Sequence, residues 1–123
     1  MGYYTSHEIE IRTGTHNPDD IINEMAKERD SIFCGLYISD NYDCYNEDGD
    51  TVIFLPTRDA VKWYDEEHDM IEFSKKFPNA VFTVNGFGEE RDDVWQHQYK
   101  NGNERFRKMT LYWDDWDKEE FKE

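Results

Sequence analysis

Two segments, Asp93-Val94-Trp95-Gln96-His97-Gln98-Tyr99 and Arg105-Phe106-Arg107-Lys108-Met109-Thr110-Leu111-Tyr112, flank Asn101-Gly102 and decide how this chain folds. Asn-Gly accepts the left-handed backbone of a two-residue hairpin turn, so the pair reads as two antiparallel strands. His97 then faces Phe106 across the hairpin.

Working back from that hairpin, Ala80-Val81-Phe82-Thr83-Val84 is a further strand, and Pro78 stops whatever precedes it. What precedes it reads as a helix starting near Asp65. Glu66, Glu67 and Asp69 lie in its first turn and Lys75 and Lys76 in its last, as the helix dipole favours, and Met70, Phe73 and Phe77 form its inner face. Thr51-Val52-Ile53-Phe54-Leu55 and Ile32-Phe33-Cys34-Gly35-Leu36-Tyr37-Ile38 read as a second hairpin, with Asp40 to Asp50 as its polar turn, closed around Asp48-Gly49. Near the start, His7-Glu8-Ile9-Glu10-Ile11-Arg12 alternates as a half-buried strand. After Gly14, Asn17-Pro18-Asp19-Asp20 supplies a cap, a proline at the first helical position and two acids for a helix ending near Asp30, with Ile21, Ile22, Met25 and Ala26 as its apolar stripe. Two helices between antiparallel strands predict an α+β protein, a ferredoxin-like β-α-β-β-α-β sandwich extended by a C-terminal β-hairpin. Without repeats, low-complexity blocks or linkers, residues 1–123 are expected to form a single domain.

Composition narrows the function. Acidic residues number 29 against 14 basic ones, a net charge of -15, yet the chain also carries 8 Phe, 8 Tyr and 4 Trp. Acidic disordered tails lack the aromatics needed for a core, so this chain should fold despite its self-repulsion. No apolar run reaches the ~20 residues of a membrane span, and Met1-Gly2-Tyr3-Tyr4 lacks the regions of a signal peptide; a cytoplasmic protein with no membrane partner is expected. Cys34 and Cys44 read as free thiols.

The stretches Lys62-Trp63-Tyr64-Asp65-Glu66-Glu67-His68-Asp69-Met70, Ser74-Lys75-Lys76-Phe77-Pro78, Val81-Phe82-Thr83, Gly86-Phe87-Gly88-Glu89-Glu90, Asp93-Val94-Trp95 and Tyr99-Lys100-Asn101-Gly102, with the opening Gly2-Tyr3-Tyr4-Thr5, resemble a family of small phage and mobile-element proteins. Phe87 stands where such members carry Glu, and Asp92 where they often carry Gly. The resemblance implies a ferredoxin-like α+β body and a viral or plasmid setting. It implies no particular activity.

Catalytic and cofactor motifs are absent from the sequence. Aligning Gly49 with the invariant glycine of a calcium loop puts Cys44 and Leu55 at positions that need carboxylates. Cys34, Cys44, His7, His16, His68 and His97 have no zinc-ligand pair spacing, and His68 and His97 read as surface or packing residues. Gly86-Phe87-Gly88, followed by Glu89-Glu90, repels rather than cradles a phosphate. The expectation is therefore a non-enzyme, with no catalytic residue, metal or cofactor.

Two minority readings use what remains. Lys100, Arg105, Arg107 and Lys108, interleaved with Trp95, Tyr99 and Phe106, form a basic aromatic hairpin of the kind that sheet-based nucleic-acid binders use. Glu89, Glu90, Asp92 and Asp93 supply carboxylates for a metal-dependent phosphoesterase. The charge points elsewhere. Fifteen negative charges match about 26 Å of duplex DNA at one charge per about 1.7 Å, on a body roughly 35 Å across. The sequence thus predicts an anti-defence inhibitor of phage type, a DNA mimic without direct nucleic-acid contact. Its partner would be a basic host defence protein, a CRISPR effector or restriction enzyme. The expected contact residues are Asp40, Asp43, Glu47, Asp48 and Asp50, then Glu89, Glu90, Asp92 and Asp93, then Trp113, Asp114, Asp115, Trp116 and Asp117. The two tryptophans would be its aromatic anchors.

Overall fold

The computed structural model describes residues 6–28, 43–56, 65–88, 93–110, 112–113 and 121. In chain order these give β1 (Ser6–Arg12), α1 (Pro18–Glu28), β2 (Asp43–Glu47), β3 (Asp50–Pro56), α2 (Glu66–Ser74), β4 (Val81–Phe87), β5 (Val94–Lys100) and β6 (Asn103–Lys108). The strands build one antiparallel sheet in the order β2-β3-β1-β4-β5-β6. The protein is thus α+β, as the sequence predicts. Each helix joins two strands that have one other strand between them: α1 spans from β1 to β2 across β3, and α2 from β3 to β4 across β1. None of the helices among the described residues is long and apolar enough to cross a membrane.

Alternation along the strands sorts residues to two faces. On one face the rows Ile53–Ile11–Phe82–Tyr99 and Leu55–Ile9–Val84–His97 run across the sheet in register. Ile21, Ile22 and Met25 of α1 and Met70 and Phe73 of α2 close over the apolar members of these rows in one buried cluster. Asn17 caps α1, its Oδ1 accepting the Asp19 N–H at 2.9 Å, and the Lys76 ammonium beyond α2 reaches back to Glu24 (3.0 Å) and Glu28 of α1. Both helices therefore lie on this face. Among the described residues no helix lies over the other one.

Three local expectations change. The first strand of the second hairpin is Asp43–Glu47, paired directly with β3 from Glu47↔Asp50 to Asp43↔Phe54, so the middle of the predicted polar turn is itself a strand. An edge strand with one hydrogen-bonded neighbour tolerates polar residues that a central strand does not. Asp48 (φ 52°) and Gly49 (φ 85°) are the whole turn, as their left-handed backbone allows; Ile32–Ile38 lies outside the described residues. Secondly, Gly86 and Phe87 continue β4 rather than forming a loop, because the Trp95 indole of β5 lies over Gly86. A Cβ there would stand 2.1 Å from its ring. Thirdly, β6 begins at Asn103, which brings Glu104 into register with Tyr99. The predicted pairing of His97 with Phe106 is present, ring centroids 4.7 Å apart.

Candidate functional site

Three of the predicted acidic contact residues lie together at one corner of the sheet. Glu47, Asp48 and Asp50 surround the β2–β3 turn, at the end of the sheet where β1 finishes; Glu8 and Glu10 share the face of Arg12 but lie further back along β1, opposite Pro56 and Phe54 of β3. Arg12 lies among these acids, its guanidinium 3.0 Å from Glu47 Oε1 and 3.8 Å from Asp50 Oδ2. The Tyr45 hydroxyl donates to Glu10 Oε1 at 3.1 Å, and its loss of solvent and this carboxylate hold the phenol above its ordinary pKa. Tyr45 and Arg12 flank Val52 in register, and Val52 is fully buried although, among the described residues, no helix lies over this face.

Asp93 does not join this corner. It precedes β5 at the opposite end of the strands, beside Gly88, whose N–H donates to the Asp93 carbonyl at 2.8 Å; its carboxylate is 3.8 Å from Lys108 Nζ. At about 3.4 Å per strand residue, the length of β1 separates the two places by about 20 Å. Trp113 is 89% exposed. Asp40, Glu89, Glu90, Asp92, Asp114, Asp115, Trp116 and Asp117 lie outside the described residues, as do all but Asp93 of the proposed phosphoesterase carboxylates; Asp43 is placed by its backbone in β2.

The basic aromatic hairpin comes apart into two faces. Trp95, Tyr99 and Phe106 project to the helix side, where Tyr99 is buried, whereas Arg105 and Arg107 project to the uncovered side. There each arginine is held in a ladder. Arg105 Nε donates to Gln98 Oε1 (2.6 Å), whose amide donates to Thr83 Oγ1 (3.0 Å). Arg107 Nε donates to Gln96 Oε1 (2.7 Å), whose amide donates to Asn85 Oδ1 (2.8 Å). With Gln96, Gln98 and Phe106 the two arginines line a shallow depression of about 270 Å³.

The most concentrated chemistry is a group the sequence reading treats as packing and helix polarity. Glu66, the first residue of α2, is only 5% exposed, and its Oε2 accepts the buried Tyr99 hydroxyl at 2.6 Å. The same oxygen is 3.0 Å from His97 Nδ1, an ion-pair distance without hydrogen-bond alignment. Burial and the Glu66 hydrogen bond drive the Tyr99 phenol far above its ordinary pKa. Burial alone would lower His97, but Glu66, with Glu104 and Glu67 near it, outweighs that and raises the imidazole above its ordinary value. Glu104 is raised too, by desolvation and by the hydrogen bond it shares with Glu67. Such a group can hold a proton near neutrality or coordinate a cation. Its members come from α2, β5 and β6. Sequence spacing does not reveal it, although the Asn101-Gly102 register, once set, puts Glu104 diagonal to His97 on one face.

No family model, curated protein or solved structure matches the chain.

Proposed function

We propose that this chain is an acidic binding protein of phage type, an anti-defence inhibitor whose β2–β3 corner takes the place of nucleic-acid phosphates in the basic groove of a host CRISPR effector or restriction enzyme. One observation carries the reading: Glu47, Asp48 and Asp50 stand together at the turn of an edge hairpin, in a chain of net charge -15. That charge is well beyond the ~2 to 8 that solubility asks of a small domain. The split connections of α1 and α2 support placing β1 to β4 on the ferredoxin-like plan, with β5–β6 as an appended hairpin.

The test compares two triple reversals in a host-lysate pull-down with duplex DNA as competitor. Glu47→Lys, Asp48→Lys and Asp50→Lys should abolish retention of a nucleic-acid-handling protein that DNA displaces from the wild type, because like charges across an interface cost several kcal/mol. Asp20→Lys, Asp65→Lys and Glu72→Lys change the net charge equally on exposed helix positions and should leave retention largely intact. Equal losses in both variants, or a retained protein indifferent to DNA, would remove mimicry by this corner.

A second reading rests on the two arginine ladders. Guanidiniums held at Nε present their remaining donors in a set orientation, which suits phosphate oxygens. Filter binding of single-stranded and duplex DNA to the wild type and to Arg105→Ala with Arg107→Ala decides it: salt-dependent binding lost in the double variant favours an accessory nucleic-acid module.

A further inference from the structure

Glu67 of α2, His97 of β5 and Glu104 of β6 each bring one potential ligand atom within 4.8 Å of the other two. Exposed acids drift together on many surfaces without meaning, but this group has a buried side to it. Glu66 is only 5% exposed, and its carboxylate lies 3.0 Å from the His97 ring. One of its oxygens, Oε1, is buried without a hydrogen-bond partner. A carboxylate left in that condition is costly unless positive charge stands close by. Tyr99, with its hydroxyl on Glu66 Oε2, supplies a hydrogen bond but no charge. Among the described residues the imidazole is the near source of that charge; a cation held by Glu67, His97 and Glu104 would supply one permanently.

We propose that Glu67, His97 and Glu104 form a site for a first-row divalent metal ion, of which zinc best suits the donors, with Glu66 as the positioning residue behind the histidine. Two carboxylates and one imidazole are an N/O set that zinc takes at three protein positions, leaving water at the rest. Magnesium and calcium prefer oxygen alone and gain little from the imidazole. A carboxylate near Nδ1, here at 3.0 Å without hydrogen-bond alignment, is the kind of neighbour that histidine ligands generally have, and it favours a metal at the other ring nitrogen. The ion would tie the start of α2 to both strands of the β5–β6 hairpin, whose outer strand is exposed at every residue. Its role is structural or regulatory, and it is independent of the acidic β2–β3 corner.

Calorimetric titration of the whole chain, stripped with a chelator and then freed of it, tests this with zinc, manganese and magnesium chlorides in turn. The wild type should bind one equivalent of zinc, more tightly than magnesium, with a rise in melting temperature. Glu67→Gln and Glu104→Gln, both at exposed positions and so expected to fold, should each weaken zinc at least about 10-fold and lose the thermal shift. Glu66→Gln should weaken it about 10- to 100-fold, the usual effect of losing a carboxylate behind a ligating histidine. It should also shift the His97 ring nitrogen resonances in the NMR spectrum, because the group 3.0 Å from Nδ1 loses its charge, which a merely structural role would not do. His16→Gln and His68→Gln serve as controls and should bind as the wild type does. The proposal is overturned if the wild type binds no zinc, if Glu67→Gln and Glu104→Gln bind it unchanged, or if magnesium binds as tightly as zinc.

Discussion

The two hairpins at the edges of the sheet are closed by the same device and held by different forces. Asp48-Gly49 (φ 52° and 85°) and Asn101-Gly102 (φ 46° and 81°) are both two-residue turns with left-handed backbone at each position, and both lie at the end of the sheet where β1 finishes. Beyond the turn the similarity stops. In β2–β3 the inner strand is anchored by apolar burial, Val52 and Ile53 being fully buried and Leu55 nearly so. In β5–β6 the main anchor is polar: Tyr99 on Glu66, the His97 stack, the two arginine ladders, and Gly102, whose N–H donates to Ser74 Oγ at 2.8 Å. Turn chemistry sets register in both. What each hairpin responds to is set by its attachment: the apolar one to packing, the polar one to protons and ions.

The largest expected difference lies in truncation. Ile53→Ala removes a fully buried side chain from the joint between β1 and β3 and should cost about 2–5 kcal/mol by chemical denaturation. Phe106→Ala, on a residue 57% exposed, should cost under about 1 kcal/mol. Comparable losses would mean that β6 is anchored as deeply as β3 and would break the contrast.

Next in size is the polar anchor itself. Tyr99→Phe keeps the ring and deletes the hydroxyl that serves Glu66, which should cost about 1–3 kcal/mol. Native-state hydrogen exchange should show β5 and β6 amides opening more readily while those of β2 and β3 keep their protection. Uniform loosening of the sheet would show that the two edges are not energetically separate.

The turns should then give nearly equal answers. Gly49→Ala and Gly102→Ala each force a Cβ into left-handed backbone, at about 1 kcal/mol apiece. Gly49 has open space around it. A Cβ at Gly102 would stand 2.9 Å from Lys75 Cε, the far end of a flexible chain that can move aside. A much larger loss at Gly102 would mean that its bond to Ser74 carries more of the β5–β6 attachment than the turn does.

The smallest effect is a dependence on pH confined to one hairpin. His97 has a folded-state pKa above its ordinary value, so its contribution is complete below about pH 6.5 and fades as pH rises through the higher folded value. Glu104, also raised, acts in the same direction in a more acidic window, above its ordinary value. With chelator present, β5–β6 protection should therefore fall between pH 6 and pH 8. His97→Gln should flatten that slope while β2–β3 is indifferent to both. A slope unchanged by His97→Gln would assign the effect to the protein's overall charge.

By itself the sequence determined the alternation of β1, the α1 cap, the start of α2 and both turn positions, because each is a local matter of backbone preference or apolar period within a few residues; α2 itself ends at Ser74, one turn short of the expected Lys75, Lys76 and Phe77. It also set the charge, and hence the suspicion of a basic partner. Tertiary structure decided what lies side by side. Asp43–Glu47 is a strand because β3 offers it an edge, not because its own residues favour one. The strand path parts Asp93 from Asp48 and Asp50, and the pleat turns the arginines of β6 away from the aromatics between which they lie in sequence. Glu66 and Glu67 read as ordinary helix-start acids until the chain carries β5 and β6 past the start of α2. Only then do a buried carboxylate, a half-buried imidazole and two exposed acids come within reach of one another, so that each alters what the others can bind.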